Sequence, residues 1–189
     1  MLLARAAEGR PLRVGLIGAG KFGAMYLAQA KHTPGIQVTG IADLAPDRAR
    51  ASLARTGWAP QRFAARSFAD AAKTGATFIT DDARALIGAP EIEIVIDATG
   101  NPAAGIRRVL AGCAHGKHVV VVNVEADALA GPLLARRARE AGIVYSLAYG
   151  DQPALICEMV DWCRAAGFAV GAAGKGTKYL PEYQASTQD

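Results

Sequence analysis

Three closely spaced glycines follow the first apolar run of the chain and constrain its fold more than any other feature. Gly18, Gly20 and Gly23 come directly after the β-rich run 12–17 and open a helical stretch over 21–31. Because this connection is short, the N-terminus of the helix lies at the edge of the sheet where the strand ends. The unpaired N–H groups of the helix N-terminus favour an anion there. The pattern therefore predicts that backbone amides of this turn bind the diphosphate of a dinucleotide.

Each glycine of this turn is expected to have a different role. Gly18 permits the tight turn, Gly20 lets the backbone approach a diphosphate, and Gly23 lets the helix pack closely on the strand. Lys21 and Phe22 lie between them and are predicted to belong to the same coenzyme-binding segment. A plain strand-to-helix turn that binds no ligand is the alternative.

The rest of the chain alternates β-rich runs with helical stretches. Further strands are predicted at 36–42, 76–80, 92–96, 119–122 and 143–148. One of the intervening helices, 126–141, is predicted to be interrupted at Gly131-Pro132. Parallel strands need crossover helices, which cover the faces of the sheet. The sequence therefore predicts an α/β fold with a doubly wound, mostly parallel sheet, the Rossmann dinucleotide-binding domain.

Three segments are expected along the chain. Residues 1–10 are predicted to be a flexible lead, 11–150 the dinucleotide-binding domain, and 151–189 the start of a catalytic or substrate domain. A hydrophobic fraction of 51% excludes a disordered chain, because it suffices for a packed core. The net charge of +4 is spread over the chain, whereas binding to nucleic acid needs a clustered basic face.

Membrane spans and disulfide frameworks are not indicated. No apolar run approaches the length that crosses a bilayer. Cys113, Cys157 and Cys163 form no CxxC pair, which argues against a zinc site and for reduced thiols. We therefore expect a cytoplasmic protein.

Asp43, where the second predicted strand ends, bears on the choice of coenzyme. A carboxylate at this position can accept hydrogen bonds from the adenosine ribose hydroxyls, which favours NAD over NADP. Arg48 follows one turn later and would pair with a 2′-phosphate if the Asp43 side chain swings away, which favours NADP. The coenzyme is therefore predicted to be NAD or NADP, with the choice open.

The fourth predicted strand ends in a segment of small and polar residues. Thr99 and Gly100 would let a nicotinamide ribose lie close to the backbone, and Asn101 offers both a donor and an acceptor. For Asp97 two roles are predicted equally, a ligand contact or a carboxylate that caps a helix or braces the loop. These residues are predicted to form a second part of the coenzyme site.

Asn123 and Glu125 follow the fifth predicted strand, whose carboxyl end meets the same edge of the sheet. They are predicted to contact the nicotinamide amide or the substrate. A cap on the following helix is the alternative for Glu125, because a carboxylate suits a helix N-terminus. Further along, Lys175 and Lys178 would suit an anionic group of the substrate, with a solvated loop as the alternative.

These motifs together resemble the homoserine-dehydrogenase-like oxidoreductases, especially the deoxyxylulose-phosphate-reductoisomerase-like branch with its C-terminal SAF-type segment. The likeness runs from about Pro11 onward, and beside the glycine turn its segments are 97–102, 121–125, 150–153 and 174–179. It implies NADPH-dependent reduction of an isomerised sugar phosphate on the route to isoprenoid precursors. It also implies that Asn101 and Glu125 line the nicotinamide end, and it shifts the coenzyme towards NADP.

Two residues depart from the pattern of the reductoisomerases. Val124 stands where those enzymes have a lysine, and Pro153 stands where they have a second carboxylate near Asp151. The resemblance implies a catalytic role for Asp151, which alone is a poor metal site by ligand count. A divalent metal is therefore an unsupported alternative.

The resemblance also bears on length and on rival functions. Relatives continue well past Lys178, so the chain is expected to be a truncated or natural fragment of an enzyme with a small-molecule substrate. A homo-oligomer is an alternative for the full-length form. The rival functions are a dinucleotide-binding module without catalysis, and a dehydrogenase that acts on homoserine or sugars.

Overall fold

The structure of the chain, a computed structural model, describes residues 1–149 and 152–174, and side chains from 155 onward in the second range. The chain divides into two units, Met1–Leu147 and Ala148–Asp189. The strands of the first unit are β1 (Leu12–Ile17), β2 (Ile36–Ala42), β3 (Phe78–Thr80), β4 (Ile94–Asp97), β5 (His118–Val121) and β6 (Tyr145–Leu147). Its α-helices are α1 (Leu2–Ala7), α2 (Lys21–Ala30), α3 (Pro46–Arg55), α4 (Phe68–Thr74), α5 (Ala83–Gly88), α6 (Pro102–Ala114) and α7 (Val124–Glu140).

All six strands form one parallel sheet. Their order across the sheet is β3-β2-β1-β4-β5-β6, so β1 pairs with both β2 and β4. The direction of winding reverses between β1 and β4, and ligands of such sheets bind beyond the carboxyl ends of the strands at that point. The predicted doubly wound Rossmann sheet is confirmed.

Apolar side chains of the strands point alternately to two helical layers. On one face, Leu16 of β1 belongs to a cluster with Leu27 of α2 and Leu53 of α3. On the other face, Ile17 belongs to a cluster with Leu86 of α5, and a third cluster joins α6 and α7 to β5. Helices therefore cover both faces, as parallel sheets require.

Helix α7 differs from the prediction. It runs without a break from 124 to 140, so the interruption predicted at Pro132 is wrong. Ala126, Leu134 and Ala138 lie on its buried side. Burial of this apolar stripe against the sheet offsets the hydrogen bond that a proline inside a helix removes.

The first ten residues, predicted to be a flexible lead, contain the short helix α1. This helix lies against the turn before β2, where Gly35 has a φ of +83° and a Cβ would lie 2.2 Å from the Leu2 carbonyl oxygen. The second unit contains α8 (Gln152–Ala165). Within the described ranges no helix is both long and apolar enough to cross a membrane.

Candidate functional site

The turn between β1 and α2 places its three glycines at the carboxyl edge of the sheet, each under a different constraint. Gly18 has a φ of +94°, and a Cβ there would lie 2.8 Å from the carbonyl oxygen of Ala98. A Cβ at Gly23 would lie 2.3 Å from the carbonyl oxygen of Gly18. Gly20, in contrast, has no atom within 4 Å of a Cβ position. The protein itself thus requires glycine at 18 and 23, whereas the space beside Gly20 is open.

The N-terminus of α2 faces this open space with its N–H groups free. Gly20 is the N-cap residue, and no side chain caps this helix, which lies wholly in the described range. The first turn of a helix has N–H groups without intrahelical acceptors, and these favour an anion. Lys21 and Phe22 lie on this turn with exposed side chains. The free N–H groups and the open space beside them can therefore accommodate a negatively charged group such as a diphosphate.

Asp43, directly after β2, braces the glycine turn. Its Oδ2 accepts a hydrogen bond from the Ala19 N–H at 2.8 Å, and its Oδ1 accepts from the Ala45 N–H at 2.9 Å. Oδ1 also accepts from Nη2 of Arg48 at 2.8 Å. The carboxylate is therefore already held by the protein, with capacity left on Oδ2 for one further donor.

The environment of Asp43 favours its ionised form. Burial of the side chain opposes ionisation, but the hydrogen bonds from Ala19 and Ala45 and the charge of Arg48 outweigh it and lower the pKa of Asp43. The Asp43 side chain is 3% exposed and that of Arg48 is 60% exposed. Because Asp43 is fixed from two sides, the partner that can move is Arg48, the reverse of the predicted swing of Asp43.

A second aspartate–arginine pair lies at the end of β4. Oδ1 of Asp97 accepts from Nη1 of Arg108 at 3.0 Å and from Oγ1 of Thr99 at 2.8 Å. Arg108 also donates to the Thr99 hydroxyl, which closes a ring of three side chains. Asp97 is completely buried, so of its two predicted roles the structure shows the brace of the loop.

Asn101 and Asn123 join the two loops beside this ring. Asn101 caps α6 by accepting from the Ala104 N–H at 2.8 Å, and Asn123 caps α7 by accepting from the Ala126 N–H at 3.1 Å. The Asn123 side chain also donates to the carbonyl oxygen of Asn101 at 2.9 Å. Since Asn123 is buried, its observed role is to fix the loop.

Glu125 lies in the first turn of α7 with an exposed side chain. Asn123, and not Glu125, is the N-cap residue of α7. The Glu125 carboxylate does lie in the first helical turn, where a negative charge is favourable, as the alternative predicted.

A cleft of about 510 Å³ opens at the carboxyl edge between these loops. The predicted site residues that line it are Gly18, Gly20, Asp43, Arg48, Thr99, Gly100 and Asn101. The predicted residues Lys21, Phe22, Gly23, Asn123 and Glu125 do not line it, although they lie on its supporting elements. The structure thus brings the ends of β1, β2 and β4 together around one cleft.

Three predicted catalytic residues, Asp151, Lys175 and Lys178, lie outside the described residues. In the part of the chain that the structure describes, no group of three His, Cys, Asp or Glu side chains could hold a metal ion.

Arg108 also lines the cleft, and sequence reasoning missed it. The signal was its spacing in α6, where Gly105, Val109 and Gly112 are buried. Position 108 lies three residues after Gly105 and four before Gly112, so it shares their face, whereas Arg107 is exposed. An arginine on a buried helix face needs an acidic partner, which Asp97 supplies.

Comparison with protein-family models identifies the family to which the chain with this cleft belongs. Residues 12–122, more than half of the chain, match the GFO/IDH/MocA model, described as an oxidoreductase family with an NAD-binding Rossmann fold. The chain belongs to this family. Residues 150–189 match a second model, the catalytic domain of oxidoreductase DRL. The coenzyme of the GFO/IDH/MocA family is a nicotinamide dinucleotide, which fits the open space at Gly20 and the free N-terminus of α2.

Solved structures share the fold at low identity. A homoserine dehydrogenase from Thiobacillus denitrificans is 22% identical with a TM-score of 0.60, over 82% of this chain and 34% of that chain. A 3-ketoreductase from Actinomadura kijaniata, solved with TDP-benzene and NADP, is 22% identical with a TM-score of 0.55, over 80% of this chain and 44% of that chain. An NAD binding oxidoreductase from Klebsiella pneumoniae is 20% identical with a TM-score of 0.55, over 83% of this chain and 39% of that chain.

This chain therefore spans less than half the length of these three structures. A comparison with curated protein sequences finds no match.

Proposed function

We propose that this chain is the coenzyme-binding part of an NAD(P)-dependent oxidoreductase that transfers hydride between nicotinamide and a small polar substrate. The observation that carries the proposal is the uncapped N-terminus of α2 beside the open space at Gly20, at the point where the sheet reverses its winding. Family membership supports the redox chemistry.

The residues of the chain have distinct parts in this proposal. The N–H groups of the α2 first turn bind the diphosphate, and the remaining capacity on Oδ2 of Asp43 is directed to a ribose hydroxyl. Thr99, Gly100 and Asn101 line the wall along which the nicotinamide ribose lies. When bound, the coenzyme supplies the nicotinamide carbon that gives or accepts hydride. Glu125, exposed on α7, is proposed to contact the nicotinamide end or the substrate.

The substrate is proposed to be a phosphorylated or carboxylated, sugar-like molecule. The match of residues 150–189 to the DRL catalytic domain supports a place in the reductoisomerase-like branch, with a role in isoprenoid precursor synthesis as the implied route. Lys175 and Lys178 are proposed to bind the anionic group of this substrate, because an amine pairs well with phosphate or carboxylate. Asp151 is proposed to act in the same catalytic segment.

Coenzyme choice is proposed to rest on Arg48. Its exposed guanidinium can leave Asp43 for a 2′-phosphate while the backbone N–H groups of Ala19 and Ala45 keep the carboxylate in place. NADP is therefore accommodated without any movement of Asp43.

Titration with NADH and NADPH tests coenzyme binding, with Gly20→Val as the decisive variant. The added side chain enters open space, so the free energy of unfolding should fall only by about 1 kcal/mol, for valine in place of glycine at the N-cap of α2, while coenzyme affinity falls by at least about tenfold. Gly88→Val is the matched control, because a Cβ there would only contact the His115 ring at 3.7 Å. Unchanged affinity in Gly20→Val would show that the glycine turn is not the diphosphate site.

Hydride transfer separates an enzyme from a binding module without catalysis. This chain joined to a complete DRL-type catalytic domain should oxidise NAD(P)H in the presence of a phosphorylated keto sugar, and the reaction is followed as loss of absorbance at the nicotinamide band. Binding of NAD(P)H without oxidation by any substrate of this class would favour the non-catalytic module.

A further inference from the structure

A second groove lies between α5 and α6, beside the coenzyme cleft. It has a volume of about 550 Å³, and its apolar lining residues are Ala83, Ile87, Ala104 and Ala111. Ala83, Ala104 and Arg108 line both the groove and the coenzyme cleft, so the two are contiguous. The groove is therefore a neighbour of the coenzyme site with a lining of its own.

The charge of the groove is one-sided. Arg84, Arg107, Arg108 and His115 line it, and no carboxylate does. Arg108 is paired with Asp97, whereas Arg84 and Arg107 form no ion pair with any side chain in the described part of the chain. Like charges in one concave site repel each other, and an anion between them would remove that repulsion.

The position of Arg84 in its helix is also electrostatically unfavourable. Arg84 is the second residue of α5 and lies at its N-terminal end, where a cation is disfavoured by the helix dipole. The Asp82 carboxylate caps the helix by accepting from the Arg84 and Ala85 N–H groups, and it forms no ion pair with the Arg84 guanidinium. The Arg84 guanidinium therefore has no ion-pair partner among the described residues, and it lines the groove.

Arg108 connects the groove to the ring at the end of β4. Only its Nη1 donates to Asp97 and Thr99, at 3.0 Å to the Asp97 oxygen. Its Nε and Nη2 N–H groups have no acceptor among the described residues. A planar guanidinium that is anchored at one nitrogen presents its remaining donors in a fixed geometry that matches phosphate oxygens.

From these observations we propose that the groove between α5 and α6 binds a small anion that carries a phosphate group. Arg84 and Arg107 are its principal charged ligands, and Arg108 is the donor shared with the coenzyme cleft. The phosphate belongs to a molecule separate from the coenzyme, because the 2′-phosphate of NADP is assigned above to Arg48, which does not line this groove.

The test uses inorganic phosphate as the probe on the full chain saturated with NADH. NADH has no 2′-phosphate and occupies the glycine turn, so any phosphate that binds must bind elsewhere. We expect the unfolding temperature to rise with phosphate at constant ionic strength. Arg84→Gln/Arg107→Gln should weaken phosphate affinity by at least about tenfold, because two charged donors are removed.

Arg55→Gln/Arg139→Gln is the matched control. It removes the same charge from two exposed arginines on other helices, so phosphate affinity should stay within about twofold of the wild type. NADH affinity, measured first, should be equal in all three proteins, and it reports coenzyme binding independently of the groove.

Three results would overturn the proposal. One is no stabilisation by phosphate, another is equal weakening in both double variants, and the third is release of NADH by phosphate, which would place the anion on the glycine turn. A final arm replaces NADH with NADPH. Retained phosphate binding is expected there, and its loss would be a fourth result against the proposal, because the 2′-phosphate of the coenzyme would then occupy the groove.

Discussion

The two aspartate–arginine pairs at the carboxyl edge have similar distances and different surroundings. Asp43 and Arg48 are 2.8 Å apart, and the arginine side chain is 60% exposed. Asp97 and Arg108 are 3.0 Å apart, with the arginine side chain 19% exposed and the aspartate completely buried. Exposed ion pairs contribute little to stability, whereas loss of one partner of a buried pair leaves an uncompensated charge.

This difference separates a movable arginine from a fixed one. Arg48 can leave Asp43 at small cost, because backbone N–H groups still hold the carboxylate. Arg108 cannot leave Asp97 at small cost, because the completely buried carboxylate would keep its negative charge without a cation beside it. One pair is therefore suited to ligand exchange and the other to fixing a loop of the cleft.

The largest effect is expected for Arg108→Met. This variant keeps most of the side-chain volume but leaves Asp97 buried without its cation, so the free energy of unfolding should fall by about 3 kcal/mol. Urea denaturation at neutral pH measures it. Arg107→Met, at the exposed neighbouring position, is the control and should stay within about 0.5 kcal/mol of wild type. Equal losses in both variants would contradict a buried pair.

Asp97→Asn should lower the free energy of unfolding by less, about 2 kcal/mol. The amide oxygen can still accept from Thr99, and Arg108 retains some contact with water. The double variant Asp97→Asn/Arg108→Met should be less destabilised than the sum of the single variants, as measured by the same denaturation. Strict additivity would show that the two side chains do not interact.

Asp43→Asn is expected to cost about 1 kcal/mol at neutral pH, because one of the oxygens that brace the glycine turn becomes an N–H donor. The pKa of Asp43 is lower in the folded chain than its ordinary value of 3.8. Its ionised form therefore contributes stability that is present above the ordinary pKa and is lost as pH falls through the folded pKa. The difference between wild type and Asp43→Asn should shrink below about pH 4, measured by chemical denaturation across the acid range. A constant difference would argue against this linkage.

The smallest change in stability is expected for Arg48→Met, at most about 0.5 kcal/mol in thermal or urea unfolding. Its effect should appear in ligand binding instead. NADPH affinity should fall about fivefold to tenfold, while NADH affinity should stay within about twofold, as measured by fluorescence titration. A parallel loss of both affinities would show that Arg48 does not distinguish the coenzymes.

Much of the fold could be predicted because its signals are local. The alternation of β-rich runs and helices, the Pro102 helix start and the glycine turn each depend on backbone chemistry within a few residues. The continuity of α7 through Pro132 could not be predicted, because burial of a whole helix face decides it. The bounds of β3 and β6 were overestimated, since pairing with one neighbour at a sheet edge limits their length.

The sequence by itself determined the glycine turn, the helix that follows it and Asp43 at the next strand end, a pattern that predicts a dinucleotide site. It could do so because the conformations and charges involved are properties of single residues and short segments. Only the tertiary structure decided that Asp43 is held by Ala19 and Ala45, that Asn123 fixes a loop, and that Arg108 closes a ring with Asp97. These contacts join residues on different elements, and their partners are selected by the packing of helices on the sheet.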